Sequence, residues 1–354
     1  MTNNSETMDF IFCISKIDNS GPSKGLIALA NGLSKSHSVS IVYFKENGLH
    51  PAYTKKSISK LIKVVKYNRK EVNYLVKNSE NVKVISMCFL SDFLVPFLFR
   101  KCRRFVFIRG NLFQNYWYDY GLKGYFLAAF HYTLCICYHK CLVLNQEEFD
   151  RVSKINRNTA IVANCLDEVW IDYKNKSAEA TYDFIFVGNL NERKKPILYV
   201  EALLQLVQSR GRSLNALIIG GGPLQSQIKE LIISNKAEHY IHVVGQVDDV
   251  YEYLSCSSIF VLPSVSEGTP RAAMEALAHG NIAVLRDVAN NAELVTVNQT
   301  GLLFGNDEDL VNTMEQALCL SEKLGSRPQN LLPAKFKQSN VLRKLVAETV
   351  NVQG

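Results

Sequence analysis

No stretch of the 354 residues reaches the ~18 consecutive apolar positions that a membrane-crossing helix needs. The opening, Met1 to Asp9, is polar and has no basic n-region, so no secretory leader is expected. None of the nine cysteines forms a Cys-x-x-Cys pair, and their odd number suits a reducing cytosol. Cys135, Cys137 and Cys141 cluster in an apolar, aromatic stretch where only His131 and His139 could complete a metal site. Helix-buried thiols and packed histidines are the expectation there, and no metal is expected anywhere in the chain. The glycines Gly220, Gly221 and Gly222 do not make Gly-x-Gly-x-x-Gly, so no dinucleotide cofactor is indicated. No internal repeat or low-complexity tract interrupts the chain. Basic charge exceeds acidic by 7, yet no RNA- or DNA-binding signature accompanies it, and nucleic acid is not an expected partner.

What is present is apolar residues (47%), enough for two buried cores, and a length that suits two domains. Charge is uneven. Residues 1–170 hold 23 Lys and Arg against 13 Asp and Glu, and the remainder holds 17 against 20. The excess peaks between Lys55 and Lys77, where eight cations face the single acid Glu71. Ile58, Leu61, Ile62, Val65 and Tyr67 fall between them at roughly helical spacing. The pattern predicts a basic amphipathic helix, suited either to an anionic membrane surface or to plain solvation. Arg100, Lys101, Arg103 and Arg104 form a second basic cluster after the apolar, aromatic run Phe89–Phe99. The expected place of the protein is the cytoplasm, with peripheral contact at the inner face of the plasma membrane.

Strand-like apolar runs alternate with helical stretches, the pattern of parallel sheets covered by helices on both faces. In the first half, strands are predicted at Phe10–Ile14, Val39–Phe44, Lys83–Cys88, Phe105–Ile108, Cys141–Leu144 and Ala160–Val162. A helix from about Gly25 to Ser34 follows the small-residue loop Asp18–Lys24. The second half restarts with strands at Phe184–Val187, Asn215–Ile219, Ile241–Val244, Ser258–Leu262, Ile282–Leu285 and Gly301–Phe304. The fold class is therefore α/β, with two doubly wound Rossmann-like lobes facing a central cleft. The expected domains are 1–170 and 171–334, with the linker at Asp172–Thr181. Residues 335–354 form a helix crossing back to the first domain. In such sheets a ligand lies beyond the carboxyl ends of the strands.

The most informative run is Pro263-Ser-Val-Ser-Glu-Gly-Thr-Pro-Arg-Ala-Ala-Met-Glu-Ala-Leu-Ala-His-Gly280. Thr269 suits an N-cap, Pro270 the first helical position and Gly280 the residue beyond the end. The free N–H groups and the positive dipole end would then point toward Glu267, Gly268 and Thr269, where a phosphate would sit. Glu267 and Glu275 place a carboxylate on either side; a capped surface helix with two solvated glutamates is the plain alternative. Upstream, Gly188-Asn-Leu-Asn-Glu-Arg-Lys-Lys195 sets three consecutive cations in a loop after a strand, which is either a phosphate clamp or a solvated basic turn. Asp307-Glu-Asp309 reads as a helix start, with Asp307 or Asn306 as cap, rather than a metal site.

With Glu267, Gly268, Thr269, Pro270 and Glu275 in strand–helix context, residues 261–304 resemble the donor-binding half of retaining GT-B glycosyltransferases of glycosyltransferase family 4. That family's mark is a Glu-x7-Glu motif with a Gly-(Phe or Thr)-Pro turn. The resemblance extends well over 183–305 and loosely over the first half. It implies transfer of a sugar from a nucleoside diphosphate sugar to a glycan or lipid-linked glycan acceptor, in bacterial surface polysaccharide synthesis. No cofactor or metal is implied. Glu267 and Lys194 take catalytic roles by this resemblance; Arg109, a departure from the family at a strand's carboxyl end, is a further catalytic candidate that would meet a phosphate or an acceptor carboxylate, with a structural salt bridge as the plain alternative. Lys194 falls on the family's lysine, while its arginine position is Asn189, with Arg193 or Lys195 as substitutes. Gly188, Gly221, Gly222, Gln246, Val247, Gly268, Thr269 and Pro270 would line the donor, and Glu275 would take the ribose hydroxyls. Gly21, Ser23, Lys24 and Asn111 would lie on the acceptor side. Many relatives carry a His where this chain has Arg109, so no general base is assigned. A sugar-nucleotide epimerase or a non-catalytic binding protein on the same fold are the rival readings.

Overall fold

The computed structural model describes residues 7–46, 48–49, 57–77, 81–167, 181–211, 214–324 and 330–350. Lys55, Lys56 and residues 172–180 of the expected linker lie outside them. The chain divides into two compact units, Met1–Asp167 with Lys335–Gly354, and Glu168–Ala334.

The first unit runs β1 (Asp9–Ile14), α1 (Gly21–Leu33), β2 (Ser38–Tyr43), β3 (Lys63–Lys66), α2 (Arg69–Lys77), β4 (Val82–Met87), α3 (Phe89–Leu98), β5 (Arg103–Ile108), α4 (Leu112–Tyr120), α5 (Leu122–Thr133), β6 (Lys140–Val143), α6 (Gln146–Val152) and β7 (Thr159–Ile161). Its sheet has the order β3-β2-β1-β4-β5-β6-β7, with parallel pairings throughout the described strands. Successive side chains of a strand point to opposite faces. Phe10, Phe12 and Ile14 thus join one core, with Leu26 and Leu29 of α1. Ile11 and Cys13 join the other, with Val95 of α3 and Tyr132 of α5. All six residues of β4 are buried, as expected of a central parallel strand covered on both faces.

The second unit runs β8 (Tyr182–Val187), α7 (Pro196–Arg210), β9 (Ala216–Ile219), α8 (Gln225–Ser234), β10 (Ile241–Gly245), α9 (Tyr251–Ser255), β11 (Ser257–Leu262), α10 (Arg271–Ala278), β12 (Ile282–Arg286), α11 (Asn291–Leu294), β13 (Gly301–Phe304) and α12 (Asp309–Leu324). Its sheet has the order β10-β9-β8-β11-β12-β13, again with parallel pairings. The last helix, α13 (Gln338–Val350), packs on α1 of the first unit. There Val341 and Leu345 are buried, and Gln338 Nε2 donates to the Ala28 carbonyl at 2.6 Å.

One expectation is overturned. Residues 57–77 are not a continuous basic helix: β3 occupies Lys63–Lys66 and α2 begins only at Arg69. Val64 and Val65 pair with Ile41 and Val42 in the sheet, which outweighs the helical spacing. β3 is an edge strand, and exposed lysines on an edge discourage pairing with another chain. Lys63 and Lys66 are paired with Glu71 and Glu46, each at 2.9 Å. Among the described residues no helix is long and apolar enough to cross a membrane.

Each sheet reverses its strand order once, between β1 and β4 in the first unit and between β8 and β11 in the second. At such a point the connections leave to opposite faces, and their starts flank a crevice at the carboxyl ends of the strands.

Candidate active site

The two loops at the reversal point of the second unit are those the sequence singles out. The first follows β8. Its Gly188 N–H donates to the Ile219 carbonyl and its Leu190 N–H to the Gly221 carbonyl, both at 3.0 Å. The Asn191 side chain accepts from the Lys194 N–H at 3.1 Å, closing a 3₁₀ turn over Glu192–Lys194. The second loop follows β11. Its Val265 N–H donates to the Arg193 carbonyl at 3.0 Å, and Arg193 Nη1 donates to the Ser266 carbonyl at 2.7 Å. Residues 73 positions apart are thereby fastened together, and Lys194 Nζ forms an ion pair with Glu267. Arg193 Nη1 stands 3.8 Å from the other Glu267 oxygen.

Glu267 is buried. Burial by itself would raise its carboxyl, but Lys194 and Arg193 beside it hold it below the usual glutamate value. Lys194 is drawn down by burial, against the pull of Glu267. The pair sets an amine and a carboxylate side by side in a poorly hydrated place.

Glu275 lies inside α10, also buried, and accepts from Arg271 Nε at 2.8 Å. Glu267 and Glu275 are therefore paired with different cations. The helix start differs by one residue from expectation: Pro270 is the N-cap and Arg271 the first helical residue. The Thr269 hydroxyl accepts instead from Asn290 Nδ2 at 3.4 Å. Gly280 does sit past the end, with φ +76°. Tyr251 stacks on His279 with centroids 4.9 Å apart, and burial pushes its hydroxyl up, with Glu275 adding to the effect.

The glycine run separates by role. A Cβ on Gly220, at φ +140°, would lie 1.9 Å from the Gly188 carbonyl oxygen. One on Gly222, at φ +158°, would lie 2.5 Å from the Leu190 carbonyl oxygen. Both are glycine because the loop after β8 crosses there. Gly221 has only Gln246 and Gln225 atoms near 3.8–3.9 Å, so it carries no such demand. Asp307 is not a helix cap. Its carboxylate accepts from Lys195 and Arg286, which hold it below the usual value against the effect of burial. Arg286 also donates to the Pro263 carbonyl at 3.2 Å and the Gly305 carbonyl at 2.9 Å, tying the ends of β11, β12 and β13. Sequence reasoning missed Arg271 and Arg286; the i, i+4 spacing of Arg271 and Glu275 was a readable signal for the first. Among the described residues no group of three His, Cys, Asp or Glu side chains is placed to hold a metal ion.

The remaining candidates belong to the first unit. Arg109, at the carboxyl end of β5, donates from Nη2 to Asn164 Oδ1 at 2.8 Å and lies across Gly25 of α1. A Cβ on Gly25 would come within 2.3 Å of that guanidinium. Asn111 caps α4, accepting from the Gln114 N–H at 3.2 Å, and donates to Glu147 at 3.1 Å. Ser23 is buried, where its hydroxyl donates to Asp18 at 2.9 Å and accepts from the Asp18 N–H at 3.1 Å. Gly21 and Lys24 stand in the first turn of α1, with open space where a Gly21 Cβ would lie.

Residues 171–330 match the family described as Glycosyl transferases group 1. The second unit is similar to a glycosyltransferase domain. The match covers nearly all of Glu168–Ala334, including both loops of the candidate site. Among curated proteins, the chain is 21% identical over 340 residues to a Campylobacter jejuni transferase. Its name is GalNAc-alpha-(1->4)-GalNAc-alpha-(1->3)-diNAcBac-PP-undecaprenol alpha-1,4-N-acetyl-D-galactosaminyltransferase, and the likeness covers 89% of this chain and 90% of that one. It is 34% identical over 128 residues to the Escherichia coli O-antigen biosynthesis glycosyltransferase WbnH, covering 36% of this chain and 35% of that enzyme. Among solved structures, Anabaena HepE in complex with UDP and glucose aligns with a TM-score of 0.76 at 12% identity. That alignment covers 97% of this chain and all of HepE. Staphylococcus aureus TarM, in a complex that includes UDP, gives the same TM-score at 11% identity over 97% of this chain. These likenesses show the GT-B fold.

Proposed function

We propose that the protein is a retaining, metal-independent glycosyltransferase that moves a sugar from a nucleoside diphosphate donor to a lipid-linked glycan, in the assembly of a bacterial surface polysaccharide. The observation that carries this reading is the Lys194–Glu267 pair, with Arg193 beside it, at the strand-order reversal of the glycosyltransferase domain. Breaking a sugar–phosphate bond puts negative charge on the leaving diphosphate and positive charge on the anomeric carbon. A cation and a carboxylate held side by side in a buried place answer both, and they are fixed before the reaction begins. Lys194 and Arg193 would take the diphosphate, and Glu267 would face the anomeric centre. The start of α10, with Gly268 before it, would offer N–H groups to the distal phosphate. Glu275, steadied by Arg271, would receive the ribose hydroxyls. With no candidate base identified, front-face attack, in which the departing phosphate takes the acceptor proton, is the scheme these residues suit. The lipid-linked acceptor is favoured by the undecaprenol-linked substrate in the Campylobacter transferase's name.

The direct test is a thermal-shift panel of nucleoside diphosphates and their sugars, since a ligand that binds only the folded state stabilises it. A nucleoside diphosphate should raise the transition of the parent protein and raise it less in Glu275→Ala. Glu267→Ala should keep the shift while sugar transfer falls roughly 10²–10³-fold. Unchanged transfer in both variants would falsify the assignment.

A further inference from the structure

An unusual surface lies in the first unit, on the helices that follow β5. The helices α4 and α5 form a tight hairpin: a Cβ on Gly124 would lie 1.9 Å from the Tyr116 carbonyl oxygen. Its inner side is pinned by polar contacts. His131 is bonded to Asp92 and to the Tyr116 hydroxyl, each at 2.8 Å, and the Tyr132 hydroxyl donates to Glu148 at 2.7 Å. Its outer side is apolar and bare, with Trp117 53%, Leu122 65% and Phe126 67% exposed. The surface continues onto α3 through ring contacts, Phe130 to Phe93 at 6.3 Å and Phe93 to Phe97 at 5.6 Å. A hairpin this firmly held from within does not fold those rings away, and aromatic patches of such extent mark an interaction site.

We propose that this face docks the protein on an anionic lipid bilayer. Charge decides the occupant. Arg100, Lys101 and Arg103, all exposed, follow directly on α3, and Arg104 Nη1 donates to the Pro96 carbonyl at 3.0 Å, holding that basic loop beside Phe97. Lys123 lies between Leu122 and Phe126 on the same hairpin. Of the two acids in residues 89–140, Asp92 is buried against His131, leaving Asp119 alone at the surface. Rings that insert at headgroup level, ringed by cations that meet acidic lipids, are the chemistry of an interfacial membrane surface. A second copy of this chain would instead set cation against cation across a self-complementary contact. The inference replaces residues 55–77 as the membrane surface, and it does not depend on sugar transfer.

The full chain should pellet with vesicles containing phosphatidylglycerol and far less with pure phosphatidylcholine, and salt should weaken the binding. With Trp170→Phe leaving Trp117 as the one indole, its emission should shift to the blue when the acidic vesicles are added. Phe126→Ser with Leu122→Ser removes only exposed side chains and should abolish pelleting while leaving the melting temperature near that of the parent. Replacing Arg100, Lys101 and Arg103 by Gln should cost roughly fivefold in partitioning per charge. The proposal is overturned if the parent ignores acidic vesicles or if the Ser variant pellets as before. It is equally overturned if the parent is a dimer that the Ser variant dissociates, because the face would then belong to a second copy.

Discussion

At the scale of single residues, Lys194 and Glu267 are the pair whose removal has the clearest sign. Removing Lys194 leaves Glu267 a buried charge with only the more distant Arg193, at 3.8 Å, against it. Lys194→Met should therefore destabilise the second unit by about 3 kcal/mol. Restoring neutrality with Lys194→Met plus Glu267→Gln should recover part of that loss, read as a coupling energy in urea unfolding. Acid should reveal the same pair. The folded protein holds Glu267 below its ordinary value, so the folded state binds fewer protons than the unfolded state. The stability this contributes is present above about pH 4.3, the unfolded glutamate value, and is lost as pH falls through the lower folded value. A urea series from pH 6 to pH 3 should show a shallower acid loss in the double variant than in the parent.

At the scale of elements, the loop after β8 has its path set by the glycines of the next strand end. Gly220→Ala would press a methyl against the Gly188 carbonyl and strain a positive φ. It should cost several kcal/mol and displace the loop that carries Lys194. Gly221→Ala has only ordinary contacts near 3.8 Å, so its melting temperature should stay close to that of the parent. If Gly221 lines the donor, the nucleotide-dependent thermal shift of that variant should shrink. A large loss of stability in Gly221→Ala and none in Gly220→Ala would reverse the assignment of these two positions.

At the scale of the whole molecule, the chain's last helix completes the first unit. Beside Val341 and Leu345, a Cβ on Gly32 of α1 would meet Leu342 at 2.3 Å, and Lys140 pairs with Glu348 at 2.8 Å. Deleting residues 335–354 removes Val341 and Leu345 and uncovers the apolar side chains of α1 they pack with, each worth roughly 1.5–3 kcal/mol when buried. Calorimetry of the truncated chain should show a lowered transition for the first unit and an unchanged one for the second. A uniform fall of both would mean that α13 serves the two units alike.

The alternation of strand and helix was legible because buried parallel strands are short apolar runs bounded by turn residues. Phe184–Val187, Gly301–Phe304 and the helix from Pro196 stand where that pattern puts them. The run from Glu267 to Glu275 was legible for the same reason, since a strand end, a small-residue turn and a helix start are local. β3 was not: two valines between lysines carry no strand signal alone, and only hydrogen bonding to β2 makes Lys63–Lys66 extended. Pairing across distance was equally hidden. That Lys194 meets Glu267, that Asp307 serves Lys195 and Arg286, and that Arg109 lies over Gly25 follow from strand order, which joins residues 21 to 112 positions apart. The exposed hairpin belongs to the same class. Its aromatic residues carry no one-dimensional sign of their side, and only packing decided which of them face inward and which remain bare. Local chemistry is written along the chain, whereas the choice of partner for each charge and the side each ring presents depend on contacts that exist only once the sheets have formed.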